Sequence, residues 1–161
     1  MGNNTDNQIN SWACFSVISY GGYDDNGRYI SKETDAFDPD EITHLLNTPP
    51  KYTRRYGEHR SNSNDTNSIY KSSKWSSNEI TDPPVNRNDL CYCIIQWLMP
   101  YEEELISFKK KHNVFYEIEI CIYVSGNDIL INSDIVSFCD RVGIEIRFNT
   151  LLTEYANSDI S

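Results

Sequence analysis

The chain has 161 residues and a net charge of −10 at pH 7. A single domain of this length buries roughly 70% of the surface its unfolded chain exposes, so it needs no staples to fold. The charge disfavours nonspecific attachment to bare nucleic acid or an anionic membrane, and no apolar run approaches the ~20 residues that a membrane-spanning helix needs.

The charge is uneven. Residues 1–50 hold eight acids and two bases, residues 51–75 two acids and six bases, and residues 76–161 fourteen acids and six bases. One short basic segment thus separates two acidic ones. The five cysteines (Cys14, Cys91, Cys93, Cys121, Cys139) are odd in number, and Met1–Asn10 is polar rather than a secretory apolar core. Both features predict free thiols in a reducing cytoplasm.

Residues 1–11 are Asn-rich and are expected to be a disordered leader. Trp12–Tyr20 has strand composition. Gly21-Gly22 and Asp24–Gly27 read as turns, and Arg28–Asp35 as a short strand or loop. A helix is then specified in detail from Pro39 to about Asn47. Asp38 is a good N-cap, and Pro39 falls at the first helical position, where its missing N–H costs nothing. Glu41 is spaced to close a capping box, and Phe37 with Ile42 to form a hydrophobic staple. Ile42, Leu45 and Leu46 form one apolar stripe, and Pro49-Pro50 ends the helix.

Residues 50–74 form a long polar connection whose centre, Ser61–Ser68, is predicted to be mobile. Lys74-Trp75-Ser76 reads as a strand edge. Asp89 is placed to cap a second helix whose apolar face holds Leu90, Ile94, Trp97, Leu98, Tyr101, Leu105 and Phe108. Pro100 interrupts it at a penalty of roughly 3 kcal/mol, so a kink or two abutting helices are expected. Glu102–Glu104 and Lys109–Lys111 would then complement the dipole of the second half.

Val114–Val124 is the clearest strand. Val114, Tyr116, Ile118, Ile120 and Ile122 face one way. Glu117 and Glu119 face the other, a side expected to be half open to solvent. Gly126-Asn127-Asp128 signals a hairpin into a partner strand at Ile129–Ile131. A short helix follows, capped by Asn132 or Ser133 and ended by Gly143. Ile144, Ile146 and Phe148 alternate with polar residues as a final strand, and residues 151–161 read as a tail. The pattern predicts one α+β domain over residues 12–150: a mostly antiparallel, mixed-order sheet of five or six strands with about three helices packed on one face.

Phe37-Asp38-Pro39-Asp40-Glu41-Ile42-Thr43, Leu45-Leu46, Pro50, Arg54, Trp75-Ser76, the long Pro-containing helix and the closing strand, helix and strand carry a resemblance. Over about residues 12–150 the chain resembles a bacterial family, domain of unknown function 4279. The resemblance implies a small cytoplasmic protein, some relatives being associated with toxin–immunity loci, and it brings no catalytic residues. The segment before Trp75 is Asn/Ser-rich here, where the family pattern is Gly-rich.

Side-chain chemistry points away from a reaction. His44, His59 and His112 are the only histidines, and none is spaced to serve a Ser or Cys nucleophile. Cys91 and Cys93 lie i, i+2 on a helix, about 200° apart, so they do not form a metal pair. No phosphate loop, dinucleotide fingerprint or nucleophile elbow is present, so no cofactor, metal or catalytic residue is expected. The favoured function is a non-catalytic, immunity-protein-like module that uses acidic residues Glu102, Glu103, Glu104, Glu117 and Glu119 to bind a basic protein such as a toxin. One alternative is a small-ligand or nucleotide site on the basic aromatic stretch, with Arg54, Arg55, Arg60, Lys71 and Trp75. Another is an acidic inhibitor of phage type that mimics nucleic acid. Neither membrane attachment nor direct nucleic-acid binding is expected.

Overall fold

The computed structural model describes residues 10–21, 23, 25–27, 32–82, 84–123 and 129–151. The leader as far as residue 9, the Gly126-Asn127-Asp128 turn, residues 28–31 and the tail beyond Leu151 lie outside the described residues.

The fold is α+β, built on a mixed six-stranded sheet that is mostly antiparallel. Its central strand is β1 (Ser11–Ser19). Along one side β1 pairs with β5 (Val114–Tyr123), from Trp12 opposite Cys121 to Ser19 opposite Val114. Its other side is shared. β4 (Ile80–Asp82) pairs with the start of β1, and β3 (Lys74–Ser76) with its end. β2 (Tyr52–Arg54) adds outside β3, and β6 (Ile144–Leu151) adds outside β5, giving the order β2-β3-β1-β5-β6.

The first helix, α1 (Pro39–Leu46), starts as the residues dictate. Asp38 Oδ1 accepts the Asp40 N–H at 3.0 Å, and Asn47 closes the helix in the left-handed region at φ 45°. The capping box does not close, however. Glu41 reaches across the molecule to Lys111 at 2.8 Å instead. Phe37 and Ile42 are both buried in the core, with the Phe37 ring edge-on to Phe108.

Pro100 divides the long apolar pattern as its chemistry requires. α2 (Leu90–Leu98) gives way to a 3-10 turn at Met99–Tyr101, and α3 (Glu102–Lys111) follows. Asp89 stands at the start of α2 but makes no side-chain cap. Asn86 caps the 3-10 turn before it, accepting the Asn88 N–H at 3.0 Å. The fourth helix, α4 (Ser133–Val142), is capped by Asn132 and ended by Gly143 at φ 73°.

Two sequence expectations are corrected. Ile129–Ile131 is not a strand. The chain crosses over through α4, and β6 runs parallel to β5 rather than closing a hairpin. Lys74–Ser76 is an inner strand, because Tyr52–Arg54 pairs outside it. The polar centre of residues 50–74 also folds back on itself. Tyr70 N–H donates to Glu58 O, Arg60 N–H to Ser68 O, and His59 bridges Ile69. Composition concealed this, because a hairpin held by backbone groups needs no apolar side chains.

The buried residues of all four helices join one core with Ala13, Phe15, Val17, Tyr116, Ile118 and Ile120. The register sets Cys14, Ser16, Glu117, Glu119 and Cys121 on the opposite side of the sheet. The sheet therefore has one face packed on the helices and another that no described helix is shown to cover, and these carry different chemistry.

Candidate functional site

The Pro100 break builds an acidic recess on the helix layer. The 3-10 turn displaces the chain, and α3 then opens with three carboxylates at the positive end of its dipole. Met99, Pro100 and Ile106, with Glu102, Glu103 and Glu104, line a shallow cleft of about 650 Å³. Glu102 is occupied: Arg141 of α4 donates to it through Nε at 2.6 Å and Nη2 at 3.0 Å. This bidentate clasp holds the Glu102 carboxyl below its usual range. Glu103 and Glu104 are exposed and have no ion-pair partner among the described residues. On α4, Asp140 beside Arg141 and the aliphatic Val136 are also exposed. Met99 and Ile106, both half-buried, line the cleft together with the exposed Pro100 and the three carboxylates.

Glu117 and Glu119 do not belong to this surface. They lie on the side of β5 that no described helix is shown to cover, and the expected half-open face is corrected there, because Glu117 is only 3% exposed. Arg147 of β6 approaches its Oε2 at 2.8 Å, yet that oxygen accepts no hydrogen bond. Burial pushes the Glu117 carboxyl up, against the pull of Arg147. Glu119 accepts from Asn149, and the Ser16 and Ser76 hydroxyls share a 2.8 Å hydrogen bond nearby in the sheet. A central strand places polar groups beside one another across four strands, and the local pattern could not show which they would be.

The basic stretch is dispersed. Arg55 is consumed by the protein's own acids, with Nη2 at 3.0 Å from Asp38 and 2.7 Å from Asp40, and Nη1 at 3.5 Å from Glu58. Arg60 donates to Ile69 O and lies over the Tyr70 ring. Lys71 is exposed. Trp75 is 0% exposed and cannot stack on a ligand; its indole belongs to the core. Arg54 lines a cavity.

The cysteines are all free. Burial pushes the Cys14 thiol up to about 11, Cys91 to about 12 and Cys139 to about 11. These shifts run opposite to those of a nucleophilic thiolate. Cys91 is buried while Cys93 is half-buried, as their i, i+2 spacing implies. The His112 ring packs on Phe108, with centroids 4.5 Å apart, and lies 3.4 Å from Glu41. Among the described residues no three His, Cys, Asp or Glu side chains converge as a metal site. No helix of the described residues is long and apolar enough to cross a membrane.

Sequence reasoning missed Arg141, Arg147 and Lys109 as partners of the named acids and cavities. Each acts across at least 30 positions of chain, and no local periodicity carries such a signal. The Met99–Ile106 lining was legible in principle, since Met-Pro before an acidic first turn marks a displaced helix start.

Comparison with known proteins yields one match. The family model described as Domain of unknown function (DUF4279) matches residues 23–153. No curated protein and no solved structure matches the chain. The chain belongs to the DUF4279 family.

Proposed function

We propose that this member of the DUF4279 family is a non-catalytic, immunity-protein-like binding module that docks a basic protein, such as a toxin, on the acidic cleft at the start of α3. One observation carries the reading: Glu103 and Glu104 stand exposed, with no ion-pair partner among the described residues, in a cleft that Met99 and Ile106 also line. Exposed charges beside partly buried apolar side chains are found together at protein interfaces. Charge of a single sign speeds and orients the encounter with a partner of opposite sign. The net charge of −10 adds long-range attraction in the same direction. The Glu102–Arg141 clasp fixes α3 against α4, so the cleft is held in place before a partner arrives.

Two further observations support binding over catalysis in a reducing compartment. Four of the five thiols are buried, with burial pushing Cys14, Cys91 and Cys139 up, and none of the five is paired. The carboxylates are divided between the helix layer and the far sheet face, which weighs against mimicry of a phosphate row.

The test is capture of a purified basic partner by the wild type and by the doubly charge-reversed variant Glu103→Lys/Glu104→Lys. We expect capture to weaken as salt rises and to be lost in the variant. Capture that ignores salt, or that survives charge reversal, rules the reading out.

A further inference from the structure

The other end of α3 borders a site of opposite chemistry. A cavity of about 600 Å³ opens where β1 leaves the sheet, β5 and β6 enter it, and β2 ends. Three cations line it, Arg54 from β2, Lys109 from α3 and Arg147 from β6, against one carboxylate, Glu145. Elsewhere the chain is strongly acidic, so this is a local reversal of sign.

The fold leaves most of that positive charge unspent. Arg54 Nη2 donates to the Ser72 hydroxyl at 2.6 Å, a neutral acceptor. Its Nε is buried and makes no hydrogen bond, and a buried guanidinium N–H without an acceptor is unfavourable. Lys109 Nζ donates to the Gly143 carbonyl at 2.6 Å, again a neutral group, and two of its three N–H bonds remain available. Neither residue lies within ion-pair distance of a carboxylate among the described residues. Arg147 alone has an anionic partner, Glu117, and most of its side chain stays exposed. Two positive charges thus share one cavity without a direct carboxylate partner among the described residues, Arg54 lying 5.8 Å from the Tyr70 ring and Lys109 5.3 Å from the Tyr116 ring.

A phosphate monoester carries about −1.5 to −2 charge at neutral pH and three strong acceptor oxygens. It matches both the charge and the donor count. The planar fork of Arg54 suits its oxygens, and Lys109 supplies a point charge. At the same cavity Tyr20 and Tyr23 are exposed, their rings 6.2 Å apart and edge-to-face, with Tyr23 at 64% exposure. Exposed aromatic rings beside a cationic pocket offer a surface on which a flat ring can stack. The volume lies within the range of small-molecule sites.

We propose that this cavity binds a small phosphate monoester carrying an aromatic ring, its phosphate held by Arg54 and Lys109 and its ring resting on Tyr20 and Tyr23. The site stands apart from the acidic cleft, and neither assignment depends on the other.

The probes are adenosine 5′-monophosphate, adenosine and inorganic phosphate, read by calorimetric titration and by the shift in Tm. We expect the monophosphate to bind and raise Tm, inorganic phosphate to bind at least tenfold more weakly, and adenosine to give no shift. Arg54→Gln and Lys109→Met should each weaken the monophosphate at least tenfold. Lys71→Ala, on an exposed residue outside the cavity, should leave it unchanged. Arg54→Gln keeps the test decisive if Lys109→Met fails to fold. No binding of either phosphate at millimolar concentration overturns the site, and so does binding that survives Arg54→Gln. Equal affinity for inorganic phosphate and the monophosphate overturns the role given to the two tyrosines.

Discussion

The indole N–H of Trp75 donates to the hydroxyl of Thr43 at 3.0 Å. The bond joins β3 to α1, and so ties the most specific stretch of the sequence to a strand 32 positions later. The indole is fully buried, so its N–H has no water to fall back on. Replacing Thr43 by Val keeps the shape and removes the acceptor. Thr43→Val should lower stability by about 1–3 kcal/mol, the penalty for a buried unpaired donor, and chemical denaturation followed by tryptophan fluorescence measures it.

Gly143 ends α4 in the left-handed region, and a Cβ there would lie 2.6 Å from Lys109 Nζ. Gly143→Ala should lower stability by about 1–2 kcal/mol from backbone strain alone. The displaced Lys109 amine sits at the end of a flexible side chain and can move, so the clash adds little. A fall in the denaturation midpoint with an unchanged slope is the expected signature.

Glu117 sets one pH dependence. Its folded pKa is raised, chiefly by burial. It therefore contributes stability below the ordinary glutamate range and loses that contribution as pH rises through its elevated value. Glu117→Gln, which abolishes the charge, should have a higher Tm than the wild type at pH 8. The gap should close as the pH falls toward 4. A Tm series over that window, run on both proteins, checks the sign.

Other carboxylates titrate in the opposite sense. Asp38 is lowered first by the Asp40 N–H and then by Arg55, Glu41 first by Lys111, and Glu102 first by Arg141. Their contributions are present above the ordinary carboxylate range and disappear as pH falls through their depressed values. The wild type should therefore lose stability on acidification below about pH 4. Arg55→Ala should flatten part of that acid limb, and Tm measured from pH 5 to 2 reads the change.

Thiol titration examines the environment of the cysteines. Of the five, only Cys93 is not buried, and its thiol too is raised by burial. At pH 8 a thiol-reactive chromophore should label the native protein slowly, at Cys93 ahead of the others. All five should react at once in denaturant. Rapid labelling of a second site in the native state would contradict the burial described for Cys14, Cys91, Cys121 and Cys139.

The sequence alone determined most of the features that neighbours three or four residues apart can encode. The Asp38 cap, the Pro39 start, the Pro100 break, the Gly143 stop and the alternation of β5 all follow from local sterics and hydrogen bonding. Those periodicities also identified the residues facing the core, and with them the α+β class. Tertiary structure alone decided which charges meet. Glu41 left its capping box for Lys111, Arg55 was taken by Asp38 and Asp40, and Glu117 was sealed beside Arg147. It also placed β2 outside β3 and turned β6 parallel to β5. The reason is physical: a charged side chain finds partners within a few ångströms of space, whatever their distance along the chain. Strand neighbours are chosen by burial of whole faces rather than by adjacent residues. Both candidate surfaces, the acidic cleft at Glu103 and the cationic cavity at Arg54, exist only once those long-range choices have been made.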